Sequence, residues 1–112
     1  MKRMPTKYGN VRTTVDGITF DSKHEANRWC ELKLLEKAGE ISDLRRQVKF
    51  ELIPASYENG KLLARSISYI ADFVYRQNGL NVIEDAKGCK TEVYKIKKKL
   101  VLWKFGIEIR EV

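Results

Sequence analysis

The chain has 112 residues, 43% of them hydrophobic and 10% aromatic, which supports one small folded domain with a single core and is too apolar for disorder. No apolar run approaches the ~18 to 20 residues of a membrane span, and the start "MKRMPTKYGNVR" lacks the apolar centre of a secretory signal, so a cytoplasmic protein is expected. The formal net charge is +7, and the two cysteines, Cys30 and Cys89, lie far apart beside a single histidine, His24, a set that cannot supply the usual zinc cage and that suits a reduced protein.

In chain order, residues 1–12 form a basic tail with Lys2, Arg3, Lys7 and Arg12 and no acid, and a single domain is expected over 13–112. "VRTTVDGITF" places Asp16-Gly17 between β-branched residues and predicts a small hairpin. "DSKHEANRWCELKLLEKAGE" predicts a helix with Ser22 or Asp21 as its N-cap and Gly39 as its terminator. "QVKFELIP" predicts a strand up to Pro54, "YENGK" a turn, and "LLARSISYIADFVY" one long strand. "RQNGL" turns the chain into the strand "NVIEDAK". The segment "TEVYKIKKKLVLWK" predicts a second helix with an apolar stripe of Val93, Ile96, Leu100 and Trp103, with Lys95, Lys98 and Lys99 opposite. Gly106 ends that helix and "IEIREV" forms a last strand. The fold class is therefore α/β (α+β), a mixed sheet flanked by helices.

Charge is segregated along this order. Seven lysines stand against Glu92 in residues 86–104, so that stretch and the tail together exceed the net charge and the remainder is acidic. Such a distribution favours a polyanionic partner, because neutralising phosphates releases counterions.

Strand alternation gives the acids their meaning. Asp72 is expected to share a face with Ile70 and Val74, with Ala71, Phe73 and Tyr75 on the other, so that both faces are covered and Asp72 is buried. On the following strand Ile83, Asp85 and Lys87 share one face, and Val82, Glu84 and Ala86 the other. If Asp72 and Asp85 meet across a hairpin, two carboxylates and an ammonium converge. Packed carboxylates are costly unless a cation joins them, and their hard oxygens suit Mg²⁺ or Mn²⁺.

Asp72, a strand turn and then Asp85-Ala86-Lys87 resemble the PD-(D/E)xK nuclease motif, with Ile70-Ala71 ahead of the aspartate in place of the motif's variable proline. Together with "DGITFDSKHEANRWCELKLLEKAGEISDLRRQVKFELIP", "SYIADFVY", "EDAKG" and "YKIKKKLVLWKFGIEIREV", the chain is similar over about residues 5 to 112 to the phage and prophage family DUF1064. That family is itself similar to the endonuclease subunit of heteromeric transposases and to Holliday junction resolvase-like nucleases. The resemblance implies a restriction-endonuclease-like αβββαβ core and a metal-dependent DNA endonuclease. It implies that Asp72 and Asp85 bind Mg²⁺ or Mn²⁺, with Ala86, between Asp85 and Lys87, also at the metal, and that Lys87 positions or activates the attacking water. Glu25 matches the helix acid that often completes such sites.

Each of these residues also has a plainer role. Ser22-Lys23-His24-Glu25 fits a capping box, in which Glu25 caps the helix start; its place on the side of Trp29 and Leu32 favours the site, and both roles can coexist. Asp85 and Lys87 read alternatively as an ion pair on a solvated strand. Gln47 orients substrate or water, or makes a structural hydrogen bond. Lys95, Lys97, Lys98 and Lys99 are either a solvated face or a phosphate track. His24 reads as a surface residue, and Trp29 and Trp103 as core.

The expected function is phosphodiester hydrolysis in branched, replication or recombination intermediates of a phage genome, in the host cytoplasm. The alternative is a nucleic-acid-binding module that keeps the nuclease fold without turnover; the complete set of Asp72, Asp85 and Lys87 favours catalysis. Expected partners are DNA, phage replication or recombination proteins and, where junctions are cut in pairs, a second copy of the chain as a homodimer.

Overall fold

The structure is a computed structural model that describes residues 11–87 and 90–112. Most of the basic tail and Cys89 lie outside the described residues. The elements in order are β1 (Thr13–Val15), β2 (Ile18–Phe20), α1 (Lys23–Lys37), β3 (Ser42–Ile53), β4 (Ser56–Glu58), β5 (Lys61–Ala64), β6 (Ile67–Gln77), β7 (Leu80–Asp85), α2 (Glu92–Phe105) and β8 (Arg110–Glu111). Strands β3, β6, β7 and β8 form a four-stranded sheet in that order. The first two pairings are antiparallel and β7 with β8 is parallel, so the sheet is mixed and the expected α+β class with two helices holds.

Local chemistry explains the connections. Asp16-Gly17, Asn59-Gly60 and Asn78-Gly79 all have positive φ at both residues, the backbone of the tight turn whose twist matches a hairpin. Ser22 caps α1 by accepting the Glu25 N–H at 3.1 Å, and Thr91 caps α2 by accepting the Tyr94 N–H at 3.1 Å, each satisfying a donor the helix cannot. Gly106, left-handed at φ 70°, closes α2.

Two cores flank the sheet. The core beneath α1 gathers Phe20, Trp29, Leu32, Phe73, Tyr75 and Val82, and the core beneath α2 gathers Leu52, Tyr69, Ala71, Val74, Ile83 and Val101. Neither helix is long and apolar enough to cross a membrane.

Four expectations need correcting. The long strand "LLARSISYIADFVY" is divided into β5, paired with β4 in a separate hairpin, and β6. The last two strands are shorter than expected: β7 ends at Asp85, and β8 covers Arg110–Glu111 alone. Ala71 does not share a face with Phe73 and Tyr75; it lies in the α2 core and they lie in the α1 core. Of the expected α2 stripe only Leu100 packs on the core; Trp103 is 79% exposed and Val93 and Ile96 are also exposed, while Val101 is buried and Tyr94 and Phe105 pack on aromatic partners.

Candidate active site

The change of face on β6 happens at Asp72, and β3 changes face with it. Leu44 belongs to the α1 core, whereas Val48, Phe50 and Leu52 belong to the α2 core. The ladder pairs Arg46 with Phe73 and Val48 with Ala71. Between those pairs stands Gln47, left-handed at φ 54°, a conformation that side chains with a Cβ adopt at a cost and that breaks the pleat. On the other edge of β6 the last ladder pair with β7 is Phe73 with Glu84, so the next step outward brings Asp72 and Asp85 abreast. Asp72 thus lies between two strands at an interruption of the sheet, fully buried.

Its oxygens are unequally served. Oδ2 accepts the Ala86 backbone N–H at 2.8 Å. Oδ1 has only long contacts, Gln47 Nε2 at 3.4 Å and Lys87 Nζ at 3.5 Å. Asp85 is held more firmly, with Oδ2 accepting from the Tyr69 hydroxyl at 2.8 Å and Oδ1 from the Lys87 N–H at 2.9 Å. Glu25, at 2% exposure, projects from the first turn of α1 and accepts from the same Gln47 amide at 3.4 Å. Ser22 supplies the helix cap, and the Glu25 carboxylate turns inward to Gln47.

Three buried acids around one lysine set the electrostatics. Burial, joined by repulsion from Asp72 and Asp21, raises the Glu25 pKa to about 7. Burial also raises Asp72, against the Ala86 N–H and Lys87, which pull it down. Burial works to lower Lys87, but Asp72, Asp85 and Glu25 overcome it and the net shift is upward. Lys87 is therefore an ammonium at neutral pH, suited to stabilising negative charge rather than to removing a proton. Tyr69 is raised by burial and by Asp85, which keeps its hydroxyl proton in place to orient that carboxylate.

The donor chemistry fits a hard divalent cation. Among the described residues, no three histidine, cysteine or acidic side chains are gathered closely enough to ligate one ion together. A cation here would take Asp72 and Asp85 with main-chain and water oxygens, the sparse protein ligation that Mg²⁺ accepts. The poorly served Oδ1 of fully buried Asp72 is the atom with most to gain from it.

The four lysines of α2 expected to meet DNA have separate environments. Lys95 pairs with Glu92 at 3.1 Å within the helix. Lys98 does not point outward as expected but pairs with Glu111 of β8 at 2.9 Å. Lys99 is exposed on the far side from Val101. Lys97 lines a cleft together with Asp85 and Lys87. His24, an exposed residue, contacts the Val112 carbonyl at 2.8 Å through Nε2.

Sequence reasoning missed Tyr69 and a second buried ionic cluster. Glu84 faces away from Asp85, as alternation requires, but it is fully buried. Arg28 of α1 donates to both its oxygens, from Nε at 2.8 Å and Nη2 at 2.6 Å, and the Tyr75 hydroxyl donates to it as well. This clamp fixes α1 on β7 one helical turn beyond Glu25. Period-two alternation placed Glu84 on the side of Val82 and Ala86, beneath the helix that carries Arg28, and that was the available signal.

A family model described as "Protein of unknown function (DUF1064)" matches residues 5–111. No curated protein and no solved structure matches the chain.

Proposed function

The chain belongs to the DUF1064 family, and we propose that it is a divalent-metal-dependent DNA endonuclease of the PD-(D/E)xK type. The observation that supports this reading most is fully buried Asp72, with one oxygen in only long contacts, beside Asp85 and the Lys87 ammonium. A carboxylate serving only the fold would be expected to have both oxygens satisfied.

Bound at Asp72 and Asp85, Mg²⁺ or Mn²⁺ would polarise the scissile phosphate and acidify a water. The protein's own groups have distinct tasks. Tyr69 and the Lys87 N–H fix the Asp85 carboxylate. The Lys87 ammonium stabilises the charge that grows on the phosphoryl oxygens in the transition state. Glu25, with a pKa near neutrality, is matched to accepting the proton that the attacking water releases. A new P–O bond forms from the water, the P–O3′ bond breaks, and the 3′ oxygen takes up a proton, leaving a 5′-phosphate and a 3′-hydroxyl.

A domain this small offers little surface for reading a long base sequence, so branched or replication intermediates of a phage genome, in the host cytoplasm, are the proposed substrates. Incubation of supercoiled plasmid with Mg²⁺, Mn²⁺ or a chelator tests the reading. Nicked or linear product with metal alone is expected; intact plasmid in every condition, with linear, nicked, flapped and four-way DNA equally uncut, contradicts it.

A further inference from the structure

Beside the acids, between the β6 end of the sheet and the start of α2, lies an open cleft of about 360 Å³. Asp85 and Lys87 form its inner end, Ser68 and Ile70 one wall, and Val93 and Lys97 the other. The volume suits a single nucleotide.

Ile70 is 48% exposed and Val93 60% exposed, an apolar pair in a cleft whose charged lining is Asp85, Lys87 and Lys97. Lys97, half-buried in the wall, makes no hydrogen bond or ion pair with another described residue, whereas its neighbours Lys95 and Lys98 are both paired. Among the described residues nothing anionic meets the Lys97 ammonium, which leaves it available to a ligand's phosphate. The acid in the same cleft, Asp85, is already bonded through both oxygens.

We infer that this cleft binds the nucleotide adjoining the scissile phosphate, with Lys97 on its phosphate and Ile70 and Val93 against its sugar and base. The site rests on the nuclease reading and adds a substrate-positioning role to α2. An anion supplies the partner that Lys97 lacks among the described residues, and a sugar-base unit covers the apolar pair; a free inorganic anion would meet only the first need. Because Lys97 contacts a phosphate removed from the reacting one, it contributes to binding and little to the chemical step.

The test uses the full chain with Mg²⁺ or Mn²⁺ and whichever of linear, nicked, flapped or four-way DNA the unaltered protein cuts best. Lys97→Ala and Val93→Glu are compared with Lys37→Ala, which removes an exposed charge from the far end of α1. KM should rise roughly tenfold for Lys97→Ala and for Val93→Glu, with kcat within about threefold and Lys37→Ala within about twofold of the parent throughout. In an Asp72→Asn background, Lys97→Ala should also flatten the slope of log K on log salt by about one unit on duplex DNA. Lys97→Ala matching Lys37→Ala in both KM and salt slope overturns the cleft while leaving the nuclease reading intact. Failure of the unaltered protein to bind or cut any of the DNAs overturns both.

Discussion

Glu25 shows how much a single residue's surroundings decide. Its raised pKa means that the folded protein holds this proton more tightly than the unfolded chain does. Glu25 therefore contributes stability that is fully present below about pH 4.5 and is lost as the pH rises through about 7. In the absence of divalent metal, Glu25→Gln should be more stable than the parent at about pH 8, by about 1 to 3 kcal/mol, and nearly equal to it at about pH 4. Urea titrations at the two pH values measure this, and a variant less stable than the parent at the higher pH contradicts it. Glu84 should behave oppositely. Glu84→Gln keeps the shape but breaks the charge pair with Arg28, at a cost of about 2 to 3 kcal/mol. Chemical denaturation should register that loss while cleavage by the folded fraction stays close to the parent's, since Glu84 faces away from Asp85. Abolished cleavage in a protein of unchanged stability would reverse the two roles. The spacing of Asp72, Asp85 and Lys87 was legible because a short hairpin converts sequence separation directly into proximity. The Arg28–Glu84 clamp was not, because alternation reveals which face a strand residue occupies but not which helix residue meets it there.

At the scale of elements, hairpins and caps followed their local chemistry, while the orientation of α2 did not. Two stripes compete on that helix. Val93, Ile96, Leu100 and Trp103 form the more apolar one by residue type; Tyr94, Val101 and Phe105 share theirs with Lys97 and Lys98, which count as polar in any pattern. The packed face is the second stripe with Leu100 at its edge, because long lysine stems lie along apolar surface while their charged ends reach out, as Lys98 does to Glu111. Trp103→Ala should accordingly change stability by less than about 0.5 kcal/mol, and Val101→Ala, from a fully buried site, should cost about 2 kcal/mol. Thermal melts of the two variants decide the orientation; the reverse ranking would mean that α2 packs through the Trp103 face. The interruption at Gln47 and Asp72 was equally hidden, since a left-handed residue inside a strand other than glycine leaves no compositional mark. It is also what brings the Gln47 amide between Glu25 and Asp72.

At the scale of the molecule, α1, β3, β6 and β7 each bring a polar group to one small volume, and three of those groups are buried acids in a chain whose formal net charge is +7. Negative charge concentrated inside and positive charge in excess overall suit a site that draws in a cation and a polyanion together. The mixed sheet could be expected from the order of its elements, but its parallel β7–β8 pairing depends on the passage of α2 across the sheet, a long-range arrangement that local patterns leave open. The most direct measurement is divalent-dependent plasmid cleavage by Asp72→Asn, Asp85→Asn and Lys87→Ala beside the parent, with circular dichroism confirming that each is folded. The parent should cut with Mg²⁺ or Mn²⁺ and each folded variant should lose on the order of a hundredfold or more in rate; cleavage at the parent's rate by all three would contradict the assignment of this site.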